Sequence, residues 1–295
     1  MRYEKSIFPN RLLPYLLILP QILVVAVFFL WPALRVLAES IIRVNAFGMN
    51  PRFVGLDNFV RAVTSGRYLN SLEVTAIYCV ITTLLAMAIG LGIALLVEGT
   101  QRGRGVYRTL FAWTYAIPTA VVGTLWLFMF QTEVGVASRA LKSLGIYWNY
   151  GINGFDAMFL IILLTVWQQF AFNYLFFTAG LKSVPKNLLE AATLDGCGAV
   201  RKFWHVSFPL LSPTTFYLLV LNITQVFFST FAVINIVTQG GPHDSTNTLV
   251  YQIYMDAFLN SNTSLAAAQT VLLIILVSAL TVLQFRYINR QVHYQ

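Results

Sequence analysis

The chain has 295 residues, of which 58% are hydrophobic and only 10% are charged. Soluble domains carry about 25% charged residues, so a water-soluble globule is excluded, and a mean hydropathy of +0.71 agrees. The net charge of +8 is spread between apolar segments with no basic run longer than two, a pattern that orients a chain in membrane lipid rather than one that binds nucleic acid.

Six apolar segments approach the ~20 residues a bilayer demands: Leu12 to Leu37, Leu72 to Val97, Tyr107 to Phe130, Ala157 to Leu181, Phe208 to Val237 and Leu265 to Phe285. The first exceeds twenty residues and lacks a small-residue cleavage pattern, so it is expected to stay as an anchor. Pro14, Pro20 and Pro32 within it predict a kink or a late start. The fifth, about thirty residues long, predicts a tilted or protruding helix. Between the first two spans, Glu39 to Ser71 is expected to fold on the outer surface. No strong internal repeat and no separate domain is evident.

An even number of spans puts both termini on one side. The alternate segments that include those termini hold twelve of the nineteen Lys and Arg residues, among them Arg102, Arg104, Arg108, Lys182, Lys186, Arg201 and Lys202. The other segments hold seven, including Arg43, Arg52 and Arg67. By the positive-inside rule the first set, with both termini, is cytoplasmic.

The apolar cores contain no Asp, Glu, Lys or His within hydrocarbon depth; Glu73 and Glu98 stand at the edges of the second span. This argues against a proton-coupled carrier, which needs an intramembrane acid or base, although a sodium site built from carbonyls would escape that test. ATP is not bound by the usual loop: none of Lys5, Lys142, Lys182, Lys186 and Lys202 follows a glycine, so there is no G-K-[ST]. His205, His243 and His293 show no paired-ligand spacing, and Cys79 and Cys197 form no C-x-x-C, so neither a metal nor a disulfide is indicated. There is no G-x-S-x-G elbow, and an Asp before Gly, as at Asp195, is commonly a stop signal rather than half of a catalytic pair with Glu190.

Polar side chains inside the spans are the candidates for solute contact. Gln169 and Asn173 align at i, i+4 in the fourth span, and Asn222, Gln225 and Ser229 share a face of the fifth. They either line a hydrophilic path or bond helix to helix, at about 1 kcal/mol each. Phe227, Phe228 and Phe231 read as packing or lipid contacts.

Between the fourth and fifth spans lies the longest polar stretch of interest, Ser183 to Gly198. Ser183 as cap, Pro185 in the first turn, Asn187 to Leu194 as helix formers and Gly196 and Gly198 as stops predict a short helix. About ten residues at 1.5 Å each reach roughly 15 Å, half the hydrocarbon thickness, so this helix lies along the cytoplasmic surface. Leu188, Ala191 and Ala192 share one side, a low surface open to close approach by another protein, with Glu190 directed elsewhere.

Glu190-Ala191-Ala192, Gly196 and Val206-x-Phe208-Pro209 resemble the EAA loop of ATP-binding-cassette importer permeases, with Val206 and Phe208 in place of the usual Ile and Leu and Cys197 where Ala is frequent. Thr238-Gln239-Gly240-Gly241-Pro242, Asn247 to Tyr254 with Ala257-Phe258, and Phe53 to Phe59 resemble the carbohydrate-uptake, maltose-permease-like group. So do the early Leu13-Pro14-Tyr15 and Trp31-Pro32, Ala266 to Gln269, and the ending Gln284 to Gln295. Within that group the whole chain is similar to the permeases of sn-glycerol-3-phosphate uptake.

The resemblance implies an all-α integral membrane protein of the bacterial inner membrane, a single permease domain over 1–295. It implies six transmembrane helices and a cytoplasmic coupling helix between the fourth and fifth, with 1–11, 182–207 and 286–295 cytoplasmic. It implies a second homologous permease, two cytoplasmic ATPase subunits that bind ATP and Mg, and a periplasmic solute-binding protein; this chain itself holds no cofactor and is not an enzyme. In the loop, Glu190 would orient against a basic ATPase residue, Ala191 and Ala192 would permit close approach, and Asp195 with Gly196 would form the turn. The solute implied is sn-glycerol-3-phosphate, with glycerophosphodiesters or another sugar or polyol as alternatives. From the residues alone, a sodium-coupled carrier and a membrane scaffold stay open as rivals.

Overall fold

A computed structural model describes residues 12–44, 50–100 and 103–291. The expected cytoplasmic N-terminus 1–11, Arg102, and His293 with the rest of 292–295 lie outside the described residues. Helix dominates. Among the described residues five helices are long and apolar enough to cross a membrane, or six if one bent pair counts as a single span. The helices divide between two compact units, 1–64 with 253–274 and 65–252 with 275–295.

In the first unit, α1 (Leu13–Val25) continues through a π-turn, Ala26–Leu30, into α2 (Trp31–Ser40). Pro32 has no N–H to return to the carbonyl four residues before it, and the widened turn sits at that place. No residue of α1 or of this π-turn is buried, and side chains such as Leu16, Phe28 and Trp31 are more than half exposed. Strands β1 (Ile42–Arg43) and β2 (Arg52–Phe53) pair antiparallel and lead into α3 (Asp57–Thr64). The buried Asn58 amide donates to the Ser40 and Ile42 carbonyls at 2.9 Å each, and Arg43 pairs with Asp57. The expected outer loop from Glu39 to Ser71 therefore has structure of its own.

The second unit is built on α4 (Gly66–Gly99), α5 (Arg104–Ala116), α6 (Thr119–Phe130), α7 (Val136–Ser143) and α8 (Gly154–Ser183). The chain goes on through α9 (Lys186–Leu194), α10 (Ala199–Lys202), a π-turn at Phe203–Ser207, α11 (Phe208–Leu210) and α12 (Ser212–Val237). The closest packing joins α4 to α8, around a core of Met87, Ala94, Val97, Tyr174, Phe177 and Leu218. Gly90 makes that approach possible, because a Cβ there would lie 2.6 Å from Asn173 Cβ and 2.9 Å from the Tyr174 nitrogen. Beyond α12, α13 (Leu249–Tyr254) runs into a π-turn, Met255–Leu259, and α14 (Thr263–Gln291) closes the chain.

Two expected spans are corrected. Tyr107 to Phe130 is not one straight helix: α5 and α6 meet at 95°. Pro118 removes an N–H and forces Ile117 into an extended conformation, φ −83° and ψ 127°, so the helix stops at Ala116 and restarts at Thr119. The fifth span is 26 residues, Ser212–Val237, rather than thirty, because Phe208-Pro209-Leu210 forms a separate turn.

Candidate functional site

Two places in the second unit carry polar chemistry, the loop after α8 and a recess at the break between α5 and α6. The loop is opened by Val184, 6% exposed, which anchors the end of α8. Pro185, not Ser183, occupies the cap position of α9. The Ser183 hydroxyl turns back and donates to the Gly180 carbonyl at 2.7 Å, so the expected serine cap belongs to the helix before. None of the nine residues of α9 is buried.

The C-terminal end of α9 is closed by its own backbone. Gly196 adopts φ +76°, the Gly196 N–H donates to the Thr193 carbonyl at 3.1 Å, and the Cys197 N–H donates to the Ala192 carbonyl at 3.0 Å. This is the glycine-terminated closure in which a left-handed residue lets two orphan carbonyls find donors. Lys202 Nζ then donates to Thr193 Oγ1 at 2.9 Å and ties the following turn to the helix. Gly198, the second expected stop, instead precedes α10 as its N-cap. Glu190, Ala191, Asp195 and Gly196 are exposed and Ala192 is half-buried, while Leu194 and Val200 stand 90% and 74% exposed beside them. The result is a short, stiffly ended helix with a carboxylate, two small residues and apolar neighbours on an open surface.

A charged group fastens the helix ends near this loop. Glu98 of α4 lies 3.5 Å from Arg104 of α5 and 3.5 Å from Lys182 of α8. Arg104 Nε also donates to the Thr100 carbonyl at 2.7 Å. One carboxylate thus gathers three helix ends just ahead of the loop.

The recess is about 400 Å³ and is lined by Tyr115 to Thr119, by Gln168 and Gln169 of α8, and by Gln225 and Ser229 of α12. Gln168 Nε2 donates to the Ile117 carbonyl at 3.1 Å and to Thr119 Oγ1 at 3.0 Å, which holds the break open against α8. Ser229 Oγ donates to the Gln225 carbonyl at 2.6 Å. Gln169 is 7% exposed, and its Oε1, sealed from solvent, has no hydrogen-bond partner among the described residues. The lining therefore offers the amides of Gln168, Gln169 and Gln225, the hydroxyl-bearing Tyr115, Thr119 and Ser229, and backbone, with no charged side chain.

Of the five polar residues read from the spans, three meet at this recess, Gln169, Gln225 and Ser229. The other two do not. Asn173 and Asn222, both 0% exposed, bond each other reciprocally at 3.1 and 2.7 Å, and each also donates to a carbonyl one turn back in its own helix. They join α8 to α12. Sequence reasoning missed Gln168 and Thr119. Gln168 is adjacent to Gln169, and neighbouring residues on a helix do not share a face, whereas the break brings backbone round to meet it.

The family model for a binding-protein-dependent transport system inner membrane component matches residues 86–294. Over 291 residues the chain is 47% identical to the sn-glycerol-3-phosphate transport system permease protein UgpA of Rhizobium meliloti (strain 1021), covering 99% of each chain. It is 48% identical over the same span to the protein of that name from Agrobacterium fabrum (strain C58 / ATCC 33970), again with 99% of each covered. Among solved structures, a bacterial transporter involved in the import of the acidic polysaccharide alginate superposes with a TM-score of 0.84 at 18% identity, covering 95% of this chain and 96% of that one. The fold is shared with that transporter, and by the family match and the full-length relatives the chain belongs to the inner membrane components of binding-protein-dependent transport systems.

Proposed function

We propose that this chain is one permease subunit of an ATP-driven importer of sn-glycerol-3-phosphate, with glycerophosphodiesters as further solutes. The observation that carries the reading is its likeness along almost the whole chain to permeases of sn-glycerol-3-phosphate transport systems, at 47% and 48% identity. The subunit is a transport component; a second homologous permease completes the path, a periplasmic binding protein delivers the solute, and two cytoplasmic ATPase subunits bind and hydrolyse ATP with Mg. With six spans, counting the bent α5–α6 pair as one, both termini and the loop 182–207 share one side, and the excess of Lys and Arg on that side supports a cytoplasmic assignment. The whole chain, 1–295, serves as one permease domain.

The loop helix α9 is the coupling element. Its exposed Glu190 holds a basic ATPase residue in register, Ala191 and Ala192 admit the partner's surface, and Asp195 with Gly196 fixes where the helix ends. Exposed Leu194 and Val200 become buried on docking. Gln169, Gln225 and Ser229 line the solute path with Gln168 and Thr119, and Asn173 with Asn222 keeps the two lining helices in register.

The test is uptake of labelled sn-glycerol-3-phosphate by cells supplied with the partners, comparing the native chain with Glu190→Ala at equal membrane abundance. The variant is expected to lose at least tenfold in uptake together with ATPase association. Native uptake that persists without ATPase subunits would overturn the coupling role, and no native uptake would overturn the solute.

A further inference from the structure

Between the loop helix α9 and the span α12, the backbone stays helical from Ala199 to Leu210 through α10, the π-turn and α11. The importer reading leaves this stretch without a task, and its sides differ sharply. Lys202 turns to α9, where its Nζ donates to Thr193 Oγ1 at 2.9 Å, and Ser207 is buried. On the open side the rings of Phe203, Trp204 and Phe208 gather into a plate, with centroids 5.3, 5.8 and 5.0 Å apart, and Trp204 is 56% exposed. Arg201 and His205, one turn apart, stand exposed beside it.

The charge here is of one sign. No Asp or Glu occurs from Gly196 to His243, so nothing along that segment offsets Arg201 and Lys202. Arg201 forms no ion pair among the described residues. An exposed tryptophan with a free arginine is the pairing that settles at the boundary of a bilayer, where the ring sits at headgroup level and the cation meets lipid phosphate.

The position of the stretch agrees. The apolar run that continues into α12 starts at Phe208, and Trp204 precedes it by one turn, about 6 Å along the axis. Headgroups occupy roughly 5–7 Å on each side of the hydrocarbon, so the plate lies at their depth. Arg201 is a turn farther out, within reach by its long stem. An ATPase surface is the poorer fit for this face: the basic residue that Glu190 is proposed to meet there would repel Arg201, whereas a phosphodiester attracts it.

We infer that the stretch from Ala199 to Leu210 holds an anionic phospholipid of the adjoining leaflet, with Arg201 on its phosphate and Trp204 and Phe208 against its glycerol esters and upper acyl chain. The inference rests on the importer reading for the leaflet it meets, and it gives the coupling loop a lipid partner. Through the bond from Lys202 to Thr193, the lipid fixes the level at which α9 is presented to the ATPase.

The test places the importer, assembled with its partner subunits, in lipid nanodiscs. The chain carries Cys79→Ser and Cys197→Ser, and a single environment-sensitive fluorophore is attached at Trp204→Cys, or at Phe208→Cys should the first fail to assemble. Leu194→Cys, at the end of α9, is the control. Phosphatidylglycerol with a spin label near the top of its acyl chain is expected to quench the probe at either site and to leave the control bright. The same label on phosphatidylcholine should quench less. Arg201→Gln is expected to lower the preference for phosphatidylglycerol about fivefold, the factor corresponding to ~1 kcal/mol for one surface arginine.

A probe that neither lipid quenches, whether open to aqueous iodide or shielded by the ATPase subunits, would overturn the lipid contact. Equal quenching by the two lipids, or a preference that Arg201→Gln leaves unchanged, would overturn the anionic site. Quenching is read without transport, so absent uptake of sn-glycerol-3-phosphate would sink the importer reading and leave this contact standing.

Discussion

Asn173 and Asn222 form a closed two-residue circuit: each amide donates to the other's oxygen, at 3.1 and 2.7 Å, and both side chains are fully buried. In such a place the cost of losing one partner exceeds the worth of the bond, because the survivor's amide nitrogen keeps its carbonyl one turn back while its desolvated oxygen is left without a donor. Asn173→Leu is expected to lower the stability of the detergent-solubilised chain by about 1–3 kcal/mol, the cost of one unsatisfied buried polar group. The double variant Asn173→Leu with Asn222→Leu should recover part of that loss, since no orphan remains. Thermal unfolding of the two single variants and the double checks it; strictly additive losses would mean that the amides act separately.

Helix packing sets the next constraint, and Gly90 sits at its tightest point. A methyl group there would meet the Tyr174 nitrogen at 2.9 Å and the Phe170 carbonyl oxygen at 3.0 Å, besides Asn173 Cβ. Two of these three atoms are backbone, so α8 would have to move as a rigid body. Gly90→Ala is expected to cost about 1–3 kcal/mol, as overpacking of a close-packed interior does. Gly92→Ala, two residues on with nothing within 4 Å of its added Cβ, should be neutral or slightly stabilising, since alanine favours helix by about 1 kcal/mol over glycine. Equal unfolding temperatures for the two variants would show that the α4–α8 contact yields more readily than its geometry implies.

The elements also show which features a linear reading reaches. Hydropathy found every long apolar helix to within a few residues, because a bilayer demands length and apolarity that few other structures share. The loop helix α9 was legible for a similar local reason: Pro185 before it and Gly196 after it are punctuation that acts within a few residues. The break in α5–α6 was not read, although Pro118 was in plain view. Membrane helices tolerate proline when neighbouring groups satisfy the freed backbone, and here the Ile117 carbonyl is satisfied by Gln168, 51 residues away. Local sequence carries no sign of such a partner. The same limit divided the polar residues: the spacing of Asn222, Gln225 and Ser229 fixed their shared face, but only packing decided that Asn222 turns to Asn173 while the other two border the recess.

For the whole molecule, orientation is the property on which the importer reading depends, since an ATPase reaches α9 only from the cytoplasm. The proposed outside segments contain arginines that would weaken a simple count, but several have local structural roles. Arg43 pairs with Asp57, Arg35 with Glu39 at 3.4 Å, and Arg67 with Asp244 at 3.3 Å. These pairs explain why basic residues are retained there without assigning them to the cytoplasmic face.

The two cysteines supply a direct measurement of that orientation. Cys79 is 5% exposed in the middle of α4, whereas Cys197 is half-exposed in the turn that follows α9. A membrane-impermeant maleimide should therefore modify Cys197 in inverted vesicles and leave it unmodified in sealed right-side-out vesicles, with no labelling of Cys79 in either. Cys197→Ser should abolish the signal. Assembly with the ATPase subunits should then slow modification several-fold if α9 is the docking element, because Cys197 closes the turn at the end of the helix that carries Glu190, Ala191 and Ala192. Labelling from the outer side would reverse the topology and with it the coupling role of α9, while labelling from the cytoplasmic side that the ATPase leaves unchanged would move the docking surface away from this turn.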